Sequence, residues 1–363
     1  MKKALSVLLV GALATSLVAC STGKTSETKS ASETSTTATT AGAEQDQQTE
    51  GSDDYGEYNW NLAMTVSETT TNYKMVEYFA NLVKEKTNGS INIELFPGGQ
   101  LANTTEQDEA CVSGSIEMVT GMTADLTDFV KEMALFDMPN VFDNIDHMRN
   151  FLEGDYAKTK INEYCEASGI HMLAFSDAGF RELTTNVPTS SVADLKGQKI
   201  RVMTNKYHIA YWNAIGASAV PMQFNELFMG LQQGTVDGQE NPYMNIVGNN
   251  LQEVQKYVVE TNHVGHIIVF FMNNDLYQSL PDNTKALLTE CANEAAEYAK
   301  GVAAESIEKD KKTVEDAGCQ IVQFNDEDLS FLRDKAQVVY DMVKEDLGED
   351  TVQGFMDAVD AAR

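Results

Sequence analysis

The stretch from residue 196 to residue 242 alternates short β-branched runs with helical spacing, and glycine or proline separates the pieces. Lys199–Val202 predicts a strand that contains Arg201, and the apolar spacing of Tyr207–Ile215 predicts a helix. A second amphipathic segment follows, and the stretch ends in a third predicted strand. This alternation predicts βαβ units and a parallel sheet, whose ligands bind beyond the carboxyl ends of the strands.

Three side chains of this stretch lie where such a sheet would bind a small ligand. Arg201 and Asn241 fall near the ends of predicted strands, and Phe224 begins the helix beside them. A guanidinium forms paired hydrogen bonds with a carboxylate, an amide adds a polar contact, and an aromatic face covers carbon atoms. The pattern therefore predicts a site for a small organic carboxylate.

The same stretch carries several motifs of one known family. KGQKIRV at 196–202, PMQF at 221–224 and above all VDGQENP at 236–242 stand in the family's order. On these motifs the chain resembles the extracytoplasmic solute receptors of tripartite ATP-independent periplasmic (TRAP) transporters, a C4-dicarboxylate receptor-like family, from about residue 59 onward. The resemblance implies an α/β, two-domain periplasmic-binding-protein-like fold with a long helix that spans both domains.

The resemblance also implies roles for individual residues. Arg201 matches the family's principal ligand arginine, and Arg181, in the strand-like DAGFRELTT, matches a second arginine that faces the carboxylate. Alternatives stay open, because Arg181 could be a surface or interface residue and Asn241 could cap the helix that follows it. Phe224 could be a core residue, and Trp212 either a pocket wall or a core residue.

Departures from the family pattern bear on the class of ligand. Met203 follows the arginine motif where the family often has proline, and Gly121–Thr123 offers no carboxylate where some relatives with amino-sugar-acid ligands place one. The residues that could hydrogen-bond ligand hydroxyl groups are Thr65, Thr123, Thr204 and Asn205. These features favour sugar acids such as uronates, and a dicarboxylate held by both Arg181 and Arg201 is the rival.

The first 57 residues carry features of export and anchoring rather than of a fold. Two lysines precede the apolar run Leu5–Val18, which is short for a membrane span, so residues 1–19 are predicted to be a lipoprotein signal peptide. The sequence LVAC that ends at Cys20 has the form of a lipobox and predicts lipidation of that cysteine. Residues 20–57 would then be the lipidated cysteine and a disordered linker, because they contain few apolar side chains. A soluble secreted protein cleaved elsewhere is the alternative.

The acidic composition limits the classes of partner. A formal net charge of -29 excludes binding to nucleic acid and to acidic membrane surfaces through charge. Salt screens charges over roughly 8 Å, so a buried arginine still dominates its own surroundings. The composition therefore excludes polyanions and leaves small carboxylates as ligands.

Four cysteines beyond residue 20 show no CxxC or metal-ligand spacing. Cys111 and Cys165 lie on apolar helix faces, which favours buried free thiols. Cys291 and Cys319 could form a disulfide in an oxidising compartment. The spacing alone does not decide that pairing.

Predicted strands and helices flank the central stretch on both sides. A helical pattern begins at Pro281 and continues to about residue 317, and it resembles the family's spanning helix. Domain I is predicted to comprise residues 58–178 and 267–306. Domain II is predicted to comprise residues 179–266 and 307–363.

These observations together predict an extracytoplasmic solute-binding lipoprotein, anchored in a periplasm or on a Gram-positive surface. It would capture a sugar acid or C4-dicarboxylate by domain closure and deliver it to the membrane subunits of a TRAP-type secondary transporter. A ligand-sensing surface protein without transport and a small-acid enzyme are the alternatives.

We expect no catalysis and no cofactor, because nucleophile–histidine constellations, phosphate-binding glycine loops and paired carboxylates are not found. His263 and His266 are spaced to meet, but no third metal ligand is apparent.

Overall fold

The computed structural model of the protein describes residues 54–363, and two β-sheets organise them. The predicted signal peptide, Cys20 and the linker up to residue 53 lie outside the described residues. No helix within residues 54–363 is both long and apolar enough to cross a lipid bilayer.

The predicted linker ends earlier than residue 57. The side chain of Asn283 donates to the carbonyl oxygen of Asp54 at 3.0 Å, and Thr284 donates to that of Tyr55 at 2.9 Å. Tyr55 also packs against the core beneath it. These contacts attach Asp54 and Tyr55 to the start of a long helix, ahead of residue 57, at which the linker was predicted to end.

The strands of the described chain alternate with helices along most of the sequence. They are β1 (Tyr58–Ala63), β2 (Ile91–Phe96), β3 (Met118–Met122), β4 (Ile170–Phe180), β5 (Glu182–Thr185), β6 (Lys199–Val202), β7 (Ser218–Pro221), β8 (Gly238–Asn241), β9 (Tyr257–Glu260), β10 (Gly265–Asn273) and β11 (Gln320–Gln323). The first sheet has the order β2-β1-β3-β10-β4, and the second has the order β11-β9-β5-β8-β6-β7. We call the two halves built on these sheets the first and second lobes.

Parallel pairing follows from the βαβ units, as predicted. β1 pairs in parallel with β2 and β3, and β6 pairs in parallel with β7 and β8. The strands that connect the lobes break this pattern, because β10 runs antiparallel to β3 and β4, and β5 runs antiparallel to β8 and β9. Both sheets are therefore mixed.

The helices cover the faces of the two sheets. They are α1 (Thr71–Lys86), α2 (Thr104–Val112), α3 (Ile145–Glu153), α4 (Asn162–Ala167), α5 (Lys206–Ile215), α6 (Leu227–Gln232), α7 (Tyr243–Gly248), α8 (Asn274–Ser279), α9 (Asp282–Asp316), α10 (Asp326–Leu347) and α11 (Glu349–Ala361). Local signals set their ends: Thr70 caps α1 with its side chain, and Gly216 ends α5 in the left-handed region at φ 105°.

The long helix α9 confirms the predicted spanning helix. Its 35 residues extend over about 50 Å. It packs against α1 and β4 in the first lobe and against α7 in the second. A row of buried alanines, including Ala292, Ala295 and Ala299, lets neighbouring backbone approach closely.

The chain crosses between the lobes at two places that lie side by side. β4 runs into β5 through Arg181, and the chain returns from β9 to β10 through residues 261–264. The backbone N–H of Arg181 donates to the carbonyl of Val264 at 2.9 Å and joins the two crossings. β4 continues as far as Phe180, because it pairs with β10 up to that residue.

The four cysteines of the described chain are buried and free. This confirms the interpretation of Cys111 and Cys165. Cys319 donates to the carbonyl of Gln255 at 3.2 Å, and Cys291 lies in the core of the first lobe. The disulfide considered between Cys291 and Cys319 is absent from this structure.

Candidate ligand-binding site

A cavity between the two lobes brings together most of the side chains predicted to bind a ligand. The ends of β1, β3, β6 and β8 face it, as expected for the carboxyl ends of parallel strands. The predicted residues that line it are Arg201, Arg181, Asn241, Phe224, Thr204 and Thr65.

Three other side chains proposed for the ligand do not line this cavity. Thr123 begins a 3-10 helix and is 1% exposed, so its hydroxyl is turned into the protein. Trp212 is a core residue of α5 whose ring meets that of His263 edge-on at 5.3 Å. Asn205 caps α5 and donates to Asp137 at 2.7 Å and to the carbonyl of Ala124 at 3.0 Å. Its amide links the lobes, and its predicted contact with a ligand hydroxyl is not supported by this geometry.

Arg201 is held at one end of its guanidinium and has no partner at the other. Nε and Nη2 donate to the carbonyl of Met222 at 2.9 and 2.6 Å, whereas buried Nη1 has no partner among the described residues. The ring of Phe224 lies 5.7 Å from the guanidinium carbon. Burial lowers the pKa of Arg201 to about 10, so the side chain still carries its charge at neutral pH. The site therefore holds a cation with one free, directed donor group.

Arg181 lines the same cavity, but its guanidinium is engaged by protein groups. It is fully buried and forms an ion pair with Glu240 through Nε and through Nη2, the latter at 2.9 Å. Nη1 donates to Nδ1 of His266 at 2.8 Å. Burial and the charge of Arg181 hold the pKa of His266 well below its usual value, which leaves that ring neutral. A ligand carboxylate on Arg181 would compete with these partners.

Glu240 is the centre of a buried network that the sequence analysis missed. Besides Arg181, it contacts Nε2 of His263 at 3.1 Å and Nδ1 of His208 at 3.7 Å. Burial alone would raise the pKa of Glu240, but the charge of Arg181 and the two imidazoles hold it well below its usual value. His263 therefore contacts the carboxylate of Glu240, and His266 contacts the guanidinium of Arg181. Residues 54–363 contain no group of three or more side chains arranged to hold a metal ion.

A carboxylate that the sequence analysis did not identify also lines the cavity. Asp125 lies in the 3-10 helix that follows β3, and its Oδ2 accepts from the backbone N–H of Met122 at 3.1 Å. Burial raises the pKa of Asp125 to about 6, although this hydrogen bond and the charges of Arg181 and Arg201 oppose the rise. The GMT segment at Gly121–Thr123 itself offers no carboxylate, but the 3-10 helix that contains Thr123 does. The acid lies two residues beyond the GMT segment that had been considered.

The cavity is closed in this structure by contacts between the lobes. Gln223 donates to Thr105 at 3.2 Å, and Ser67 donates to the carbonyl of Gly248 at 2.6 Å. Gly238 of the VDGQENP motif lies tightly against β5, because an added Cβ would stand 2.2 Å from the carbonyl oxygen of Thr184. The motif glycine thus permits the pairing of β8 with β5 that places Asn241 at the cavity.

The sequence itself matches a known family over most of its length. Residues 62–346 match the model of the bacterial extracellular solute-binding proteins, family 7. The chain belongs to this family. The predicted resemblance to the TRAP receptors is confirmed, and so is the two-domain α/β fold.

Relatives within the family differ in the ligands that they are named for. The chain is 30% identical to a C4-dicarboxylate-binding periplasmic protein of Rhodobacter capsulatus, over 79% of this chain and 86% of the relative. It is 28% identical to a 2,3-diketo-L-gulonate-binding periplasmic protein of Escherichia coli, over 70% of this chain and 78% of the relative. Both relatives are named as binding proteins for organic acids.

Solved structures of family members show the same fold with different bound acids. A sugar acid binding protein of Advenella mimigardefordensis in complex with galactonate superposes with a TM-score of 0.82 at 28% identity, covering 85% of this chain and 100% of that one. A TRAP periplasmic solute binding protein of Sulfurospirillum deleyianum with bound succinate gives 0.78, also at 28% identity, with 85% and 100% covered. Overall similarity therefore does not distinguish a sugar acid from a dicarboxylate.

The ion pairs of His208 make the stability of this family member depend on pH. Burial lowers its pKa, but Asp137 at 3.1 Å and Glu240 at 3.7 Å outweigh burial and raise it to about 9. A histidine whose pKa is raised by folding contributes its full stabilisation at pH values below its unfolded pKa of about 6.5. This contribution is lost as the pH rises through its folded pKa of about 9.

We expect wild type and His208→Gln to differ most in free energy of unfolding at pH 6. The difference should shrink steadily up to pH 10, because glutamine does not titrate. Urea denaturation at unit steps of pH measures both curves, and groups that titrate in both proteins cancel in the difference. A difference that stays constant or grows with pH would show that His208 is not charged in the folded protein.

Proposed function

We propose that this chain is an extracytoplasmic receptor that binds a small organic acid between its lobes and delivers it to a TRAP-type transporter in the membrane. The observation that carries the proposal is the free Nη1 group of Arg201, a buried cationic donor at a closed cavity. An unpaired buried charge is costly, and a ligand carboxylate removes that cost with a charge-assisted hydrogen bond. The organic acids named for its relatives support this class of ligand.

Closure of the lobes would follow from the ligand's preference for the closed state. A ligand shifts a conformational equilibrium only by its difference in affinity for the two states. Arg201 and Phe224 belong to the second lobe, whereas Thr65 and Asp125 belong to the first, so a ligand touching both sets favours closure. The two domains that close on the ligand would comprise residues 58–178 with 267–306 and residues 179–266 with 307–363.

Substitution of Arg201 tests the proposed carboxylate contact. Arg201→Gln removes the charge, and Arg201→Lys keeps it without the planar fork. A charge-assisted hydrogen bond contributes about 1.5–3 kcal/mol, so we expect affinity for the bound acid to fall roughly 10- to 150-fold in Arg201→Gln. Arg201→Lys should lose less. Isothermal titration calorimetry of the purified protein against sugar acids and dicarboxylates measures this.

The matched control is Arg333→Gln, which makes the same change at an exposed position of α10. Its affinity should equal that of wild type. Undiminished binding by a folded Arg201→Gln would remove the proposed contact. Recovery of the acid chemically unchanged after binding supports a receptor, and its conversion would favour the enzyme alternative.

The proposed anchor rests on Cys20 and is tested separately. A lipidated cysteine adds about 0.8 kcal/mol for every buried CH₂ group of its acyl chains, so the mature protein should sediment with membranes. We expect Cys20→Ala to be lost from the membrane pellet while its affinity for the acid stays unchanged. Wild-type protein found wholly in the soluble fraction would contradict lipid anchoring.

A further inference from the structure

A row of buried hydrogen bonds begins at backbone carbonyls in the second lobe and leads toward the cavity. The side chain of Gln255 donates through Nε2 to the carbonyls of Val254 at 3.1 Å and Asp237 at 3.4 Å. Its Oε1 accepts from Thr184 Oγ1 at 2.7 Å. Because a carbonyl only accepts, the orientation of the Gln255 amide is determined, and with it the direction of the Thr184 hydroxyl.

The row continues from Thr184 through three further amides. Thr184 Oγ1 accepts from Gln239 Nε2 at 3.0 Å, and Gln239 Oε1 accepts from Asn241 Nδ2. Asn241 Oδ1 accepts in turn from Asn245 Nδ2 at 3.2 Å. We call Gln255, Thr184, Gln239, Asn241 and Asn245 the amide relay. Its direction leaves the last group, Asn245 Oδ1, as an acceptor that is buried and has no partner in the described part of the chain.

The first lobe contributes a second acceptor of the same kind. Asn72, at the start of α1, donates through Nδ2 to the carbonyl of Gly121 at 3.2 Å, which fixes its amide. Its Oδ1 is buried and has no partner within residues 54–363. Asn72 and Asn245 both line the cavity, together with the carboxylate of Asp125. Buried acceptors without partners are costly, so a ligand that fits must supply donors.

The charges that line the cavity favour the same kind of ligand, one with a single carboxylate and several donor groups. Glu240 balances Arg181, so Arg201 is the cation left for a ligand carboxylate among the described lining residues. A second ligand carboxylate would meet the acceptors of Asn72, Asn245 and Asp125. The threonine hydroxyls of the lining can donate or accept and therefore do not discriminate.

We propose that the solute is a monocarboxylate with several hydroxyl groups, an aldonate-like acid, whose hydroxyls donate to Asn245, Asn72 and Asp125. This inference rests on the proposed function and excludes simple dicarboxylates as the preferred solute. Arg201 fixes the carboxylate end, and the amide relay and Asp125 select the hydroxylated end. Asn245, Asn72 and Asp125 are thus the specificity-determining residues.

Three kinds of six-carbon acid separate the contributions. Galactonate and gluconate carry one carboxylate and five hydroxyls, hexanoate lacks the hydroxyls, and galactarate carries a second carboxylate in place of the terminal hydroxyl. Calorimetry on the purified protein should give the lowest Kd for one of the two aldonates. Hexanoate should bind about 100-fold more weakly or worse, because sites built to hydrogen-bond hydroxyls strongly reject analogues without them. Galactarate should bind at least roughly 10-fold more weakly than that aldonate.

Two variants test the assigned residues on the same acids. Asp125→Asn should weaken the aldonate and strengthen galactarate, so that their affinity ratio changes at least roughly 10-fold. Asn245→Leu should weaken the aldonate and leave hexanoate unchanged, which a merely structural defect would not do. Asp334→Asn, the same substitution at an exposed position of α10, should change neither affinity.

The outcomes distinguish this inference from the proposed function. The inference is overturned if wild type prefers galactarate or succinate, or if Asp125→Asn leaves the ratio of the aldonate and galactarate affinities unchanged. The proposed receptor function would still stand in either case, provided that binding depends on Arg201. Failure of wild type to bind any of the acids would overturn both.

Discussion

The buried ion pair between Arg181 and Glu240 is the interaction on which the site depends. Arg181 lies where β4 passes into β5, and Glu240 lies in β8 of the second sheet. Replacing such a pair with apolar residues is often neutral, but removal of one partner costs about 3–5 kcal/mol, since the other charge is left buried. The main effect of the pair is therefore to fix the relative positions of the strands that carry it. It ties the crossing strands to the strand that carries Asn241.

The same pair also determines which arginine is free for a ligand. With Arg181 neutralised by Glu240, the positive charge available among the described cavity residues is that of Arg201, whose Nη1 has no partner within residues 54–363. This explains how a chain of net charge -29 can bind an anion. Within the closed cavity one nearby guanidinium outweighs surface acids that lie beyond the screening length.

The sequence predicted those parts of the site that depend on local pattern. Periodicity placed Arg201 near the end of a predicted strand and Phe224 at the start of a predicted helix. The βαβ rule then placed the strand ends together at one edge of the sheet. The long helix α9 was likewise predicted from a local pattern. Arg201, Asn241 and Phe224 are found together in the cavity for this reason.

Interactions between residues far apart in sequence were not predictable in this way. Glu240 is 59 residues from Arg181, and Gln255 is 71 residues from Thr184, so neither the ion pair nor the amide relay has a local signature. Asp125 was missed because the short 3-10 helix after β3 turns its carboxylate back toward the strand end. The same turn buries Thr123, which had been expected to hydrogen-bond a ligand hydroxyl.

In the proposed complex, Arg201 binds the carboxylate of the acid, and the acceptors Asn245, Asn72 and Asp125 of the two lobes bind its hydroxyl groups. A crystal structure of the protein with its tightest-binding six-carbon acid tests it most directly. We expect a carboxylate oxygen at about 2.7–2.9 Å from Nη1 of Arg201, with the Arg181–Glu240 pair intact. A carboxylate bound to Arg181 with Glu240 displaced, or an acid bound outside the cavity, would contradict it.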